Sequence, residues 1–235
     1  MQRYMVDNKE LNLDIDDKRH IINVMRMNVG DMFKIVYERK VYTCELTEIS
    51  KKDLKYKIID EQLEDDVKDY KVILACSLIK EQKMDYLLQK ETELGVDEII
   101  PVISERTIVK INDKKENKMN RWCKILKEAS EQSHRSFIPK IHDITSLKDL
   151  VNVNADLKIV CNTNELSKNI KKVLQDNKKS GTIVIVVGPE GGLSDFEVEY
   201  LVKNSFISTT LGSNILRAET VPLFMLSVIN YEFLR

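Results

Sequence analysis

Hydrophobic and polar positions follow two different patterns in the two parts of the chain. In the first part, short runs of alternating apolar and polar residues predict strands, bounded by turn residues and accompanied by one short helix. The predicted elements are strands at 32–37, 41–46 and 55–59, a turn at 28–31 and a helix at 19–27. Short strands at this spacing are typical of a small β-barrel.

In the second part, continuous apolar runs typical of buried strands alternate with amphipathic helices. The predicted strands are 72–79, 99–102, 157–161, 183–187 and 206–210, and the predicted helices are 81–94, 119–133, about 166–175 and 221–233. This alternation indicates an α/β domain with a mostly parallel sheet covered by helices. An acidic stretch at 61–69 separates the two patterns, so we expect a first domain at 1–67 and a second at 68–235.

The composition narrows the class of protein. The chain has 235 residues, of which 43% are hydrophobic, enough to bury a sizeable core. No apolar run approaches the roughly 20 residues of a membrane span, and the N-terminus has no apolar signal-peptide core, so we expect no membrane partner. The cysteines and histidines are widely separated, which argues against a disulfide framework or a metal site and fits a reducing cytoplasm. They are Cys44, Cys76, Cys123 and Cys161, and His20, His134 and His142.

The net charge of −1 gives no general sign of nucleic-acid binding. The distribution of charge is less even, because residues 106–140 hold ten Lys and Arg against four Asp and Glu. A local basic stretch is the expected footprint of phosphate contacts. The alternative is a solvated helix face in a lysine-rich protein, and charge alone favours that simpler interpretation.

The most informative segment is TIVIVVGPEGGLS at 182–194. A β-branched run ends in a glycine turn, and Ser194 with Glu197 then forms the capping box of a following helix. Glycines at the carboxyl end of a strand let a ligand approach the backbone, and open α/β sheets bind ligands at that edge. A tight strand-to-helix connection without a ligand is the alternative.

The glycine turn does not match the known phosphate-binding loops. A P-loop needs Lys and then Ser or Thr after its last glycine, whereas Gly192 precedes Leu193 and Ser194. The dinucleotide fingerprint has different glycine spacing and lies early in a βαβ unit. Nucleotide phosphates are therefore disfavoured, and the carboxylate of Glu190 within the turn suits a cationic ligand better.

Two further motifs have a composition that suits ligand binding. Residues 211–220, LGSNILRAET, follow another short strand at the same edge and mix small, apolar and charged side chains, as a loop around a flat apolar ring does. In this loop Arg217 either pairs with Glu219 or reaches a substrate. Residues 128–135, EASEQSHR, place Glu128, Gln132 and Arg135 on one helix face, which is either a binding face or a solvated helix end.

Together these motifs are more specific than any one alone. GPEGGLS, LGSNILRAET, EASEQSHR and KETELGVDEIIPVISERT resemble the RsmE-type 16S rRNA uridine-N3 methyltransferases of the SPOUT class. The likeness extends to Arg3-Tyr4, Arg19-His20, Val24-Met25-Arg26 and Gly30-Asp31, and so covers nearly the whole chain in order.

The resemblance implies a PUA-like RNA-binding β-barrel at 1–67 and a SPOUT-type α/β methyltransferase domain at 68–235 whose C-terminal part is a trefoil knot. It also implies a homodimer that binds S-adenosylmethionine at the knot. The cofactor contacts it implies are Cys161, Val186, Gly188, Glu190, Gly191, Gly192, Leu211, Gly212, Ile215, Leu216 and Ala218.

The implied activity is methyl transfer from S-adenosylmethionine to N3 of one uridine in 16S rRNA of the small ribosomal subunit. Arg135 or Arg217 would stabilise the uracil anion, and Glu190 or water would accept the N3 proton. The expected RNA contacts are Arg3, Arg19, Arg26 and Arg106. Two alternatives stay open: another SPOUT enzyme that modifies tRNA or a different rRNA site, and a non-catalytic RNA-binding factor of ribosome assembly.

The chain departs from the family pattern at four places. Ile21 stands where the family has a second histidine, and Ala218 where it often has threonine. The usual glycine-containing hairpin turn is replaced by Glu38-Arg39-Lys40, and the common proline near Thr163 is missing. The first two departures concern side-chain contacts to RNA and cofactor, whereas a pocket built from backbone is unaffected.

Overall fold

The computed structural model describes residues 1–63, 68–109, 115–178 and 181–233. Its contacts divide the chain into two units, Met1–Val67 with Lys127–Ile138, and Lys68–Leu126 with Pro139–Arg235. We expected 127–138 within the second domain, whereas its contacts lie within the first unit. The Met5 amide donates to Glu131 Oε1 at 2.8 Å, and Arg3 Nη1 donates to the His134 carbonyl at 2.8 Å.

The first unit is built on a four-stranded sheet in the order β1-β2-β3-β4. The strands are β1 Arg3–Met5, β2 Met32–Tyr37, β3 Lys40–Ile49 and β4 Leu54–Leu63. β1 is parallel to β2, and the other neighbours are antiparallel hairpins. The three predicted strands are confirmed, and β1 was missed because three residues are too few to display alternation. Within the described residues the strand path is open, so closure into a barrel stays a prediction.

The predicted helix at 19–27 begins and ends earlier than expected. Helix α1 spans Ile15–Arg19 and continues as a π-helical turn over His20–Val24. Its start is fixed by Asp14, whose side chain accepts the Asp17 amide at 2.7 Å. Ile21 is fully buried with the sheet residues in the core of this unit, which gives its replacement of the family histidine a packing role.

The second unit contains a seven-stranded parallel sheet in the order β11-β9-β10-β5-β6-β7, with β8 also paired to β6. The strands are β5 Lys71–Ser77, β6 Glu98–Ile103, β7 Lys140–Ile141, β8 Thr145–Ser146, β9 Leu157–Cys161, β10 Thr182–Val187 and β11 Ile207–Thr209. The predicted α/β architecture is confirmed. The two-residue strands β7 and β8 were not predicted, because they carry no periodic signal.

Among the described residues, five α-helices flank this sheet where helices were predicted, together with one 3₁₀ helix that was not predicted. They are α2 Glu81–Glu93, α3 Lys115–Gln132, α4 Ile170–Asp176, α5 Asp195–Lys203, α6 Thr220–Phe233 and a 3₁₀ helix at Leu147–Asn152. Gly95 takes φ +88° at the end of α2, as predicted for a C-terminal cap. α4 begins later than predicted because the Asn169 side chain accepts the Lys172 amide and fixes the first turn there.

β10 explains why the central strands read as continuous apolar runs. Ile183, Ile185 and Val187 belong to the core on one face of the sheet, and Val184 and Val186 to the core on the other. A strand that is covered on both faces needs apolar residues at every position. The alternation that marks the first unit is therefore absent here.

Among the described residues no helix is long and apolar enough to cross a membrane. In the same part of the chain, no group of three or more His, Cys, Asp and Glu residues is arranged to hold a metal ion. All four cysteines are free thiols.

Candidate functional site

Three loops meet at one edge of the parallel sheet. They follow β9, β10 and β11, which are neighbouring strands, and the carboxyl ends of parallel neighbours emerge at the same edge. The first and third loops are joined by backbone bonds, from the Asn162 amide to the Thr209 carbonyl at 3.0 Å and from the Thr210 amide to the Lys168 carbonyl at 2.8 Å. The Asn164 side-chain amide donates to Asp195 at 3.4 Å, which ties the first loop to the helix after the second.

The loop after β10, Gly188–Ser194, is called the glycine loop below. Its turn is closed by the Gly192 amide, which donates to the Pro189 carbonyl at 2.9 Å, and Gly192 has φ +69°. A Cβ atom on Gly188 would lie 2.8 Å from the Leu193 nitrogen. Gly192 is needed for its left-handed conformation and Gly188 for close packing of backbone on backbone.

Glu197 holds the glycine loop to the loop after β6. Its Oε2 accepts the Ser194 amide at 2.9 Å and the Ser194 hydroxyl accepts the Glu197 amide, so the predicted capping box is confirmed. Its Oε1 accepts the Glu105 amide at 2.7 Å. One buried carboxylate thus fixes a helix N-terminus and a neighbouring loop at once. The second of these contacts was not predicted.

Arg106 also contacts the glycine loop. Its Nη1 donates to the Gly191 carbonyl at 2.9 Å in an exposed position. An arginine that we expected to contact RNA therefore lies at the predicted cofactor loop, and it orients the backbone of that loop.

Lys83 links the glycine loop to the loop after β11. Its Nζ lies 3.1 Å from Glu219 Oε2 and 3.9 Å from Glu190 Oε1. Burial raises the pKa of Glu219, but its hydrogen bonds and the charges of Lys83 and Arg217 outweigh burial and lower it overall. We expected Arg217 either to pair with Glu219 or to reach a substrate. The charge of Arg217 does act on Glu219, but the direct ion pair of Glu219 is with Lys83. Sequence reasoning missed Lys83, although its position in the helix after β5 puts it at the same edge.

The predicted cofactor residues beyond β11 form a partly apolar loop, 211–219. Leu211 and Ala218 pack against the core, as does Cys161 at the end of β9. Gly212 has φ +130°, and Ile215 is 84% exposed. Leu216 is half-buried and Arg217 is exposed on the same loop.

Val186 is the one predicted cofactor residue whose side chain is fully committed to the core. It packs with Leu201 and Phe206 in the cluster under α5. Only its backbone is left for contact with a ligand at the sheet edge.

Four of the remaining predicted residues belong to the first unit, whereas the three loops belong to the second. Arg135 is buried and its guanidinium lies 4.6 Å from the centre of the Phe137 ring. Arg3 is buried against the end of α3. Arg19 and Arg26 are exposed, and Arg19 lies 3.9 Å from Asp16.

Ion pairs neutralise part of the basic stretch at 106–140. Arg121 pairs with Glu81 and Asp85, and Lys127 pairs with Asp17 at 2.6 Å and with Glu131 at 3.2 Å. Lys115 lies 3.2 Å from Asp143. Lys110 and Lys114 lie outside the described residues. These pairs favour the simpler interpretation, that much of the stretch is an ordinary helix surface.

Family models assign both parts of the chain. Residues 66–230 match the RNA methyltransferase domain and residues 13–59 match the RNA methyltransferase PUA domain. The PUA-like nature of the first domain, expected from the resemblance, is confirmed by this match.

Full-length relatives agree with these matches. The chain is 36% identical to ribosomal RNA small subunit methyltransferase E of Bacillus subtilis, over 99% of this chain and 97% of the relative. The structure of a methyltransferase from Legionella pneumophila in complex with the bound cofactor SAM matches with a TM-score of 0.91 and 28% identity, covering 98% of this chain and 97% of that one. The ribosomal RNA small subunit methyltransferase E of Neisseria gonorrhoeae bound to S-adenosyl methionine matches with a TM-score of 0.86 and 30% identity, with coverage of 98% and 97%. The chain therefore belongs to the RNA methyltransferases of the ribosomal RNA small subunit methyltransferase E family.

Proposed function

We propose that this protein transfers a methyl group from S-adenosylmethionine to N3 of a uridine in 16S rRNA of the small ribosomal subunit. The observation that carries the proposal is the joining of three loops at the carboxyl edge of the sheet, in a chain whose full-length relatives include SAM-bound methyltransferases. The resemblance of the sequence motifs supplies the uridine-N3 specificity.

The charges at these loops fit the cofactor. S-adenosylmethionine supplies an electrophilic methyl group on a positively charged sulfonium. Lys83 contacts the carboxylates of Glu190 and Glu219, and the charge of Arg217 also acts on Glu219. Glu190 is the carboxylate that lies farther from Lys83, so it keeps part of its attraction for a cation.

The apolar character of the loops fits the rest of the cofactor. Leu211, Leu216, Ala218 and Cys161 offer half-buried apolar surface, and Ile215 adds an exposed side chain beside them. A flat adenine ring is held by such surface together with a few backbone polar groups. The turns at Gly192 and Gly212 leave that backbone accessible, since nothing lies within 4 Å of the position of a Cβ atom at either glycine.

The substrate base must lose its N3 proton to become a nucleophile, and N3 is occupied in a base pair. The target uridine is therefore unpaired or flipped out when it reacts. Arg217 is exposed on the loop after β11, where its guanidinium is free to meet the uracil anion, and Arg135 is the second candidate for that role. Glu190 or water accepts the proton. Alignment of the reacting atoms and electrostatic stabilisation of the anion then supply most of the catalysis.

The C-terminal part is proposed to be a trefoil knot. Strand β11 lies at the edge of the sheet beside β9, whereas the following helix α6 returns to pack on α2, α4 and β10. The chain after β11 therefore returns from the edge of the sheet to pack on earlier elements, as a knotted C-terminal part requires. Knots are rare exceptions among folds, and this return path is the local feature that supports one here.

A homodimer is proposed because the loops after β9 and β11 and the first turn of α5 expose large apolar side chains. Leu166 is 93% exposed, Phe196 67% and Ile215 84%. Exposed apolar groups gathered at one edge mark an interaction surface, and a second copy is the occupant that the family resemblance implies. Sedimentation of the Phe196→Asp variant tests this: a monomer where the parent chain is a dimer supports the proposal, and a parent chain that sediments as a monomer contradicts it.

Mass-spectrometric mapping of 16S rRNA tests the function. Cells that lack the protein should lose N3-methyluridine at one position and regain it with the parent gene. Retained N3-methyluridine would contradict the substrate. Calorimetry with S-adenosylmethionine separates an enzyme from an RNA-binding assembly factor, because the latter gives no heat even at high cofactor concentration.

Arginine variants test the catalytic roles. Arg217→Ala and Arg135→Ala should each bind S-adenosylmethionine normally if the arginine acts on the base alone. The variant that lacks the anion-stabilising arginine should lose about 100-fold in turnover. A variant with normal turnover removes its arginine from the mechanism.

A further inference from the structure

The hairpin between β2 and β3 has an unusual turn. Tyr37 pairs with Lys40, so Glu38 and Arg39 are the two central residues of a two-residue turn. Their φ angles are +47° and +65°, the left-handed conformation that such a turn requires at both positions. Glycine and asparagine adopt this conformation readily, whereas glutamate and arginine do so at a cost in free energy. A costly backbone conformation in an exposed turn calls for a compensating role of the side chain.

Arg39 is directed onto an aromatic ring. Its Cζ lies 5.0 Å from the centre of the Phe137 ring, and the Cζ of Arg135 lies 4.6 Å from the same ring. Both distances are within the range of cation–π interactions. Two guanidinium groups are thus collected around one half-buried ring, although like charges repel.

The backbone at the end of α3 positions Arg135 beside the Phe137 ring. The Arg135 amide donates to the Ser130 carbonyl at 2.9 Å and the His134 amide to the Glu131 carbonyl at 3.3 Å, the bond pattern of a Schellman motif. His134 takes φ +59° at the position that usually holds glycine. Three non-glycine residues with left-handed φ angles therefore lie in or next to the cluster of Arg39, Phe137 and Arg135, namely Glu38, Arg39 and His134.

In the part of the chain that the structure describes, the neighbours of Arg39 form no ion pair with it. Lys40 is paired with Glu61 on β4 at 2.6 Å. Desolvation raises the pKa of Tyr37, and the neighbouring carboxylate of Glu38 adds to that rise. The turn therefore presents the guanidinium of Arg39 at its exposed tip.

We propose that Arg39, held on Phe137 beside Arg135, contacts an unpaired stretch of the substrate RNA. A planar guanidinium that an aromatic ring holds in place offers N–H donors to a phosphate and a flat face to an unstacked base. This inference rests on the proposed function, since it assumes an RNA substrate. It adds a contact that no family motif includes, because Glu38-Arg39 replaces the glycine turn and Phe137 lies outside the motifs.

Arg39→Gly separates an RNA contact from a structural role. Glycine relieves the left-handed strain, so the variant should unfold at the same denaturant concentration as the parent chain or a higher one. Its affinity for an unmethylated 16S rRNA transcript should fall about tenfold, and the dependence of log K on log[salt] should lose about one unit of slope. Filter binding at two salt concentrations measures both.

Lys52→Gly is the matched control, because it removes one exposed positive charge from the other hairpin turn of the same unit. It should weaken RNA binding far less than Arg39→Gly. Arg39→Lys keeps the charge and loses the planar group, so it should restore the salt slope and only part of the affinity. If Arg39→Gly does not fold, Arg39→Asn takes its place, because asparagine tolerates the left-handed conformation.

Unchanged RNA affinity and slope in folded Arg39→Gly would overturn the inference, as would an equal loss in Lys52→Gly. A parent chain that neither binds the transcript nor methylates it would instead overturn the proposed function. The two failures are therefore distinguishable with the same set of proteins.

Discussion

Two glutamates of the second unit are buried to a similar extent but have opposite surroundings. Glu197 is 8% exposed and its carboxylate accepts two backbone amides, those of Ser194 and Glu105. Glu91 is 0% exposed, and among the described residues neither of its carboxylate oxygens has a hydrogen-bond partner. The first fixes a loop of the candidate site, and the second is a buried side chain in the last turn of α2. Burial alone therefore says nothing about whether a charged residue stabilises the fold.

The largest effect is expected from Glu197→Ala. Two backbone amides lose an acceptor, and hydrogen bonds to a charged group contribute about 1.5–3 kcal/mol each. The free energy of unfolding should fall by about 3 kcal/mol, and affinity for S-adenosylmethionine should fall with it because the glycine loop is released. Chemical denaturation and calorimetry measure the two effects.

Glu199→Ala is the control for that experiment. Glu199 lies on the same helix but is exposed, with only a 3.8 Å ion pair to Lys203. Its removal should change the unfolding free energy by less than about 0.5 kcal/mol. Equal losses in the two variants would show that the contacts of Glu197 are not what distinguishes it.

The contrast between the two glutamates also marks what could be predicted from the sequence. The bond from Glu197 to the Ser194 amide was predicted, because a capping box is a local pattern of four residues. The bond to the Glu105 amide was not, because its partner lies 92 positions away and no spacing connects them. Lys83 was missed for the same reason, since the carboxylates that it contacts, those of Glu190 and Glu219, lie more than 100 positions later in the chain.

The fold followed the same division between local and distant signals. Strands with continuous apolar runs, such as β10, were placed within about two residues because burial on both faces shows at each position. The alternating strands β3 and β4 extend three and four residues beyond their predicted ends. The left-handed conformations of Arg39 and His134 were invisible, because neither residue type requires them. Turns built on glycine were predictable, whereas turns held by tertiary contacts were not.

The opposite response is expected from Glu91→Leu. Burial raises the pKa of Glu91 well above its ordinary value, so the folded protein keeps the carboxyl protonated while the unfolded chain releases the proton. An acid whose pKa is raised by folding stabilises the fold at low pH and loses that contribution as pH rises toward the folded pKa. The variant should be more stable than the parent by about 2 kcal/mol at pH 8, with a smaller gain at pH 5.

Denaturation at the two pH values measures this, with Glu93→Leu as the control. Glu93 lies two residues away with a 2.8 Å ion pair to Lys90 and should gain nothing when replaced. A parent chain that is more stable than Glu91→Leu at pH 8 would mean that the buried carboxyl has a partner or a role that offsets its burial.

Glu131 is the intermediate case, with one backbone amide and one lysine as partners. It is 8% exposed, and desolvation raises its pKa to about 7 even though the Met5 amide and Lys127 oppose the rise. By the same sign rule, the stabilisation due to its proton is complete below about pH 4.5 and is lost as pH rises through 7. The parent chain should lose about 2 kcal/mol between pH 5 and 8 that Glu131→Gln does not lose. Identical pH dependence of unfolding in the two proteins would contradict this assignment.

Glu190 is only partly buried, unlike Glu197 and Glu91. Of the glutamate substitutions, Glu190→Gln should have the smallest effect. The side chain of Glu190 is 28% exposed and its nearest cation, Lys83, is 3.9 Å away, so its removal should change stability little. It does remove one negative charge beside Lys83, which should weaken S-adenosylmethionine binding by only about threefold to fivefold, because solvent screens a partly exposed charge. The loss should shrink at high salt. Glu199→Gln removes a carboxylate that pairs with Lys203 instead of Lys83, so this variant should bind S-adenosylmethionine normally. Calorimetry that finds the same dissociation constant for Glu190→Gln and the parent chain would show that the sulfonium is recognised without this carboxylate, and would leave shape and backbone contacts as the basis of recognition.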